Sequence, residues 1–183
     1  MDKTFKMTIA GCERDLPICK VNDKLSIAAF ILFGDVEMTK KSATALLDKC
    51  PDFDIILTAE AKGIPLCYEM AAQSSKPYLV ARKAMKLYLI DPLKVNVKSI
   101  TTENEQSLYL SGKDAKSMKG KRILIVDDVI STGESLMALE RLVEAGGGEI
   151  VGRAAVLAEG DATEREDIIF LGELPLFKND ELN

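Results

Sequence analysis

Residues 122–136 read RILIVDDVISTGESL, and the reading of this stretch decides the fold. Ile123, Leu124, Ile125 and Val126 form a short, continuously apolar run rich in β-branched side chains, as expected of a parallel strand buried on both faces. Asp127 and Asp128 fall where that strand is expected to end, and open parallel sheets bind ligands beyond the carboxyl ends of their strands. Two carboxylates there can accept hydrogen bonds from a vicinal diol. Ser131, Thr132, Gly133, Glu134 and Ser135 are then expected to wrap into the first turn of a helix carrying Leu136, Leu139, Leu142 and Val143 on one face. Unpaired backbone N–H groups point outward from such a turn, hydroxyls add donors, and Gly133 permits close backbone approach, so the stretch reads as a sugar-phosphate site.

At these residues the chain resembles the type I phosphoribosyltransferases, whose signature is an apolar strand followed by two acids and a Thr-Gly turn. The resemblance implies that Asp127 and Asp128 hold the ribose 2′- and 3′-hydroxyls of phosphoribosyl pyrophosphate. Ser131, Thr132, Gly133, Glu134 and Ser135 would cradle its 5′-phosphate. A P-loop nucleotide site is excluded, because its lysine must reach the β- and γ-phosphates and no G-x-x-x-x-G-K-[ST] string occurs. A receiver domain would place its paired acids near the start of a domain, yet only 55 residues follow Asp128.

Bulk properties agree with one cytoplasmic enzyme domain. At 183 residues and 47% hydrophobic content the chain can bury a substantial core. A net charge of −5 argues against a nucleic-acid binder. Cys12, Cys19, Cys50 and Cys67 have neither C-x-x-C spacing nor disulfide-scaffold density, which suits thiols in a reducing compartment. Histidine is absent, so Ser-His-Asp and Cys-His nucleophiles and His-ligated metals are excluded, leaving carboxylates, lysines and backbone amides to carry chemistry. The apolar segment 27–33 is far short of the roughly 20 residues that cross a bilayer, and it reads as a buried strand.

Apolar runs alternate with helical patterns, which predicts an α/β fold with a mainly parallel sheet and helices on both faces. Residues 39–49 are expected to be helical, with Ala43, Leu46, Leu47 and Cys50 on one side; 53–58 a strand, 64–74 a helix and 78–81 a strand. Between 83 and 120 the pattern loosens. Gly146, Gly147 and Gly148 supply a helix stop, 150–157 resumes a strand, and the polar tail 178–183 is expected to fray.

A second constellation, TAEAKG at residues 58–63, again joins a predicted strand to a predicted helix. Amides opening that helix could bind a second anion, and Gly63 allows close approach. The stretch resembles the pyrophosphate loop of adenine phosphoribosyltransferases, which implies pyrophosphate contacts from Ala61, Lys62 and Gly63. The family usually has arginine at Lys62, and lysine lacks its planar fork. Residues 81–87, ARKAMKL, are similar to that family's basic stretch, where Arg82, Lys83 and Lys86 would neutralise the leaving pyrophosphate. FGDV at 33–36 resembles its purine-recognition segment, with Phe33 stacking on the base and Leu32 reading it through the backbone. Read without the resemblance, the three cations are a solvated surface loop and Phe33 a core side chain. The family's Pro-Gly approach to this segment is replaced by 24–30, KLSIAAF.

The family also carries a mobile loop with a tyrosine-flanked glutamate before the signature strand. The corresponding stretch, 100–110, offers Glu103, Glu105 and Tyr109 without that pattern. The expectation is therefore a single type I phosphoribosyltransferase domain over residues 1–183, with 1–38 as an N-terminal hood that recognises the base. The resemblance implies purine salvage with adenine favoured: phosphoribosyl pyrophosphate plus base giving nucleoside monophosphate and pyrophosphate. Asp128, Glu103 or Glu105 would handle charge or proton, and Mg²⁺ would be bound through the ligand's own oxygens and water. It also implies a homodimer, while the net charge and the short apolar run lead to the expectation of neither a nucleic-acid nor a membrane partner. The alternative is a non-catalytic sensor of phosphoribosyl pyrophosphate or a nucleotide on the same fold.

Overall fold

Period-two alternation at the start of the chain, TFKMTI, builds β1 (Thr4–Ile9), which turns through Gly11 into β2 (Cys12–Lys20) and then β3 (Leu25–Ala28). The computed structural model describes residues 3–98 and 105–180. Next come α1 (Val36–Leu47), β4 (Ile55–Ala59), α2 (Ile64–Ser74) and β5 (Tyr78–Ala81). An antiparallel pair, β6 (Leu93–Lys98) and β7 (Glu105–Leu110), precedes the short α3 (Gly112–Ser117). The chain then forms β8 (Arg122–Ile130), α4 (Glu134–Gly146), β9 (Glu149–Glu159), a 3₁₀ turn (Gly160–Glu164), β10 (Ile169–Leu174) and β11 (Leu176–Lys178).

Five strands make one wholly parallel sheet in the order β10-β9-β8-β4-β5, with β8 at its centre. Leu124 and Val126 pack into the core shared with α1 and α2, whereas Ile123 and Ile125 pack into the core shared with α4 and the β6-β7 hairpin. All four side chains are at most 1% exposed, which is why this run shows no polar alternation. At roughly 1.5–3 kcal/mol for each buried aliphatic side chain, these two layers supply the main drive to fold. Bonds from the Arg122 guanidinium and backbone N–H to the Asp54 carboxylate join the entrances of β8 and β4.

Several boundaries differ from the sequence expectation. Strand β8 does not end at the acid pair: pairing with β9 continues through Ile130, so Asp127 and Asp128 stand within the last turn of the sheet's upper edge. The expected strand at 27–33 is confined to Leu25–Ala28, because Phe30 and Leu32 turn inward from irregular backbone while Ile31 and Phe33 face solvent. The first helix begins at Val36, three residues early, since Asp35 caps it by accepting the Met38 N–H at 3.1 Å. Strand β4 is shifted to Ile55–Ala59.

A second, antiparallel sheet in the order β1-β2-β3-β11 forms a hood that draws on both ends of the described chain. Arg14 on β2 fastens this hood to α1 through a two-pronged bond to Asp35, 2.7 and 3.0 Å, and a further bond to Glu37. Lys178 and Asn179, expected to fray, are ordered: Lys178 pairs with Leu25, and Asn179 accepts from Ser26 Oγ at 2.6 Å and donates to the Asn22 carbonyl at 2.8 Å. Asn179→Ala should strand the buried Ser26 hydroxyl and cost about 1–3 kcal/mol of stability. This would be read as a lower urea midpoint at unchanged slope; an unchanged midpoint would mean the hood does not depend on these ties.

Candidate active site

The acid pair lies at the carboxyl edge of the parallel sheet, where strand ends leave a crevice open to ligand. Asp128 is only 3% exposed, and Asp127 accepts the Asp128 backbone N–H at 2.9 Å through Oδ1. Burial, and then the neighbouring Asp128 carboxylate, push the Asp127 pKa well above the ordinary carboxylate range. Lys62 Nζ stands 2.8 Å from Asp128 Oδ2, close enough for an ion pair but off the directions a hydrogen bond requires, so this buried oxygen has no hydrogen-bond partner among the described residues.

Lys62 reaches that position because its loop, between β4 and α2, lies directly against β8. A side chain on Gly63 would put its Cβ 2.5 Å from Thr58 Oγ1 and 3.0 Å from Asp127 Oδ1, so only glycine permits the approach. The Glu60–Ala61 peptide in this loop is cis. Glu60 accepts from the Lys83 backbone N–H at 2.7 Å and from Arg82 Nη1 at 3.2 Å. Burial acts to raise its pKa, but these bonds more than offset that and leave it below the usual range. Arg82 also lies 5.9 Å from the Tyr88 ring, and its backbone bridges to Tyr109 of β7. Lys83 is exposed and Lys86 half-buried on the same loop.

On the other side of the acids, an open pocket of about 50 Å³ is lined by Asp127 and by residues 129–136, including Ser131, Thr132, Gly133, Glu134 and Ser135. Gly133 sits at the N-cap of α4 with φ +78°, and no side chain caps the helix there. The amides of the first turn thus face a concave, polar opening at the positive end of a helix, the setting in which an anion is held. Arg165 borders this turn: a Cβ on Gly133 would lie 3.2 Å from Arg165 Nη1, while Asp167 holds the guanidinium by two bonds of 2.7 and 2.9 Å.

The structure therefore brings together the acid pair, Lys62, Gly63, Arg82 and the Ser131–Ser135 turn. It places other expected site residues elsewhere. Leu32 is buried and lines a groove between α1 and α2 with Pro65 and Tyr68, and Phe33 is 55% exposed; neither lines the pocket at the α4 turn. Glu103 lies outside the described residues. Glu105 opens β7 opposite Lys98, so the stretch expected as the counterpart of the family's mobile loop is strand over Glu105–Leu110. The alternation L-K-V-N-V-K at Leu93–Lys98 was the available signal for that hairpin. Two residues beside the site were not anticipated. Arg165 lies in a segment with no motif, and Glu159 closes a strand expected to stop at residue 157, although the ends of parallel strands are where ligand groups belong.

Residues 39–174 match the family described as the phosphoribosyl transferase domain. The chain belongs to the phosphoribosyltransferase family. It is 38% identical over 114 residues to a hypoxanthine/guanine phosphoribosyltransferase of Methanococcus voltae, a match covering 62% of this chain and 57% of that protein. It is 35% identical over 130 residues to another of that name from Methanothermococcus okinawensis, covering 70% and 67%. The chain thus spans little more than half the length of the first of these relatives. Among solved structures, adenine phosphoribosyltransferase of Thermoanaerobacter pseudethanolicus superposes with a TM-score of 0.67 at 21% identity, covering 93% of this chain and 95% of that one. The shared architecture is the type I phosphoribosyltransferase fold: the parallel sheet flanked by helices, with the antiparallel hood added.

The raised Asp127 pKa has a consequence for stability. The folded protein holds this proton more tightly than the unfolded chain, so the group favours folding below the ordinary carboxylate pKa. That contribution is lost as pH rises toward the folded pKa, above which the ionised group opposes folding. Asp127→Asn should therefore melt increasingly above the parent as pH rises from about 4 to about 9. Parallel melting curves for the two proteins across that range would show Asp127 to be fully relieved by its neighbours.

Proposed function

We propose that the protein transfers the phosphoribosyl group of phosphoribosyl pyrophosphate to a purine base, releasing pyrophosphate. The observation that carries this reading is the placement of the acid pair between two anion-receptive elements, the turn before α4 and the Lys62 loop before α2. In this reading Asp127 and Asp128 accept the two ribose hydroxyls, Ser131 to Ser135 hold the 5′-phosphate, and Ala61, Lys62, Gly63, Arg82, Lys83 and Lys86 face the pyrophosphate. The C1′–oxygen bond to pyrophosphate breaks as the bond from the base nitrogen forms, and Asp128 or a hairpin glutamate takes up the charge or proton released. Mg²⁺ would be held through pyrophosphate oxygens and water, with Asp127 and Asp128 as fitting hard-oxygen neighbours, and would offset the leaving group's charge.

The motifs favour adenine as the base, and the superposed structure is an adenine enzyme, but its 21% identity speaks for fold alone. The sequence relatives, at 38% and 35% identity, are named for hypoxanthine and guanine and support a 6-oxopurine instead. A homodimer belongs to the same proposal, supported by the exposed apolar run Met85, Leu87, Tyr88 and Ile90. One observation favours the sensor reading: Lys62 and Arg82 are already paired with Asp128 and Glu60, so pyrophosphate must compete for both cations.

Phosphoribosyl pyrophosphate with Mg²⁺ should raise the melting temperature, and Asp127→Asn and Asp128→Asn should each weaken its binding about tenfold or more, the scale of a charged hydrogen bond. Parent-like affinity in both variants would remove the acids from the site. In a single-turnover assay with adenine, guanine, hypoxanthine and xanthine, the parent should form nucleotide. Changing Glu103 and Glu105 together to glutamine should lower kcat by about 10²-fold with little change in phosphoribosyl pyrophosphate affinity. Tight ligand binding by the parent without turnover of any base would favour the sensor.

A further inference from the structure

We infer that Glu159 reads the edge of the purine and selects guanine, an inference that rests on the transferase reading above. Glu159 closes β9 and, with Asp161, lines an open cavity of about 390 Å³ beneath the hood, between Val21, Leu25, Ile27 and Leu176 on one side and Ser131 and Thr132 on the other. Of the two acids in its lining, Asp161 is exposed and Glu159 the more buried, and apolar walls with a buried acidic group suit a flat heteroaromatic ring whose faces are apolar and whose edge is polar. Glu159 Oε1 is withdrawn from solvent and has no hydrogen-bond partner among the described residues. Burial raises its pKa, and the charge of Lys62 works against that rise. A buried carboxyl oxygen left unsatisfied is costly, and a ligand that supplies its partner relieves that cost.

The register of the sheet places this group at the right height. Asp127 pairs with Ala155, so Glu159 stands four residues further toward the carboxyl edge, roughly 13 Å along the strand. A nucleotide whose ribose rests on the acid pair and whose phosphate occupies the adjoining turn would extend its base toward that level. Rotation about the terminal side-chain torsion, which is soft, can present both carboxylate oxygens to the cavity.

An ionised carboxylate only accepts hydrogen bonds, and it does so through two oxygens. Guanine presents two adjacent donors, N1–H and the 2-amino group, which match those oxygens in a charge-assisted, two-pronged pair. Hypoxanthine offers N1–H alone, and xanthine sets N1–H between two carbonyls. Adenine places the lone pair of N1 next to its amino group, so one carboxylate oxygen would face another acceptor.

Calorimetric titration of the nucleotides GMP, IMP and AMP, with ribose 5-phosphate as a base-free control, tests this on the parent and on Glu159→Gln. The parent should bind GMP about tenfold or more tightly than IMP, and AMP weakest. Glu159→Gln turns an amide N–H toward guanine's donors and should erase the GMP-over-IMP preference while leaving ribose 5-phosphate affinity unchanged. An equal GMP-to-IMP ratio in both proteins, or a parent that prefers IMP or AMP, would overturn the assignment. If Glu159→Gln fails to fold, the parent's order of preference decides the matter alone. Nucleotide selectivity without turnover would sink the transferase reading but leave Glu159 as the base reader. Loss of ribose 5-phosphate binding in the parent would strike the phosphate turn, and this inference with it.

Discussion

Two carboxylates standing next to each other at the upper edge of a parallel sheet repel, and the rest of the site is arranged around that repulsion. It helps burial to push the Asp127 pKa upward, and Asp128 draws Lys62 to 2.8 Å. The lysine can come so near only because Gly63 leaves room for the loop to rest on Thr58 and Asp127. The glycine, the lysine and the two acids thus form one mechanical unit, and changing any of them alters the electrostatics of the others. The unit is short of hydrogen-bond donors, since Asp128 Oδ2 finds none among the described residues. A vicinal diol would supply them, so ligand binding completes an arrangement that folding alone leaves unfinished.

The central strand, the phosphate turn and the helix that follows were legible from residues 122–136 because three independent signals coincide there: an unbroken β-branched run, paired acids, and small polar residues before an amphipathic helix. Helix α2 and strand β5 were read to the residue. The hood was expected over 1–38 from the resemblance, but its individual strands, its closure by β11 and the hairpin escaped. Their strands are half exposed, with alternating patterns that a search for buried runs passes over, and β11 is three residues long and acquires its identity only by pairing with β3. Glu159 was missed for a similar reason. Nothing local marks it, and its meaning depends on a cavity one wall of which, Val21, Leu25 and Ile27, lies more than a hundred positions away.

The β6-β7 hairpin connects the two anion-receptive ends of the crevice. Arg141 on α4 donates to the Asn96 carbonyl at 2.9 Å, and the Tyr109 backbone exchanges hydrogen bonds with that of Arg82, both 2.8 Å. The base of the hairpin is therefore braced against the helix that opens the phosphate turn and against the segment that carries the cations. A displacement of the hairpin would be felt at both, which gives the protein a way to adjust the two sites together.

The pairing of Ile27 with Leu176 sets the order in which the molecule can be completed. During synthesis the parallel core, up to β10, can assemble from neighbouring segments, but the hood lacks its fourth strand until residue 178 has emerged. A contact between segments so distant along the chain is entropically late, whatever its strength once made. The cavity beneath the hood, one wall of which is Leu176, is accordingly among the last features to appear on a growing chain. The nascent protein can present a finished Ser131–Ser135 turn before the cavity lined by Glu159 has closed.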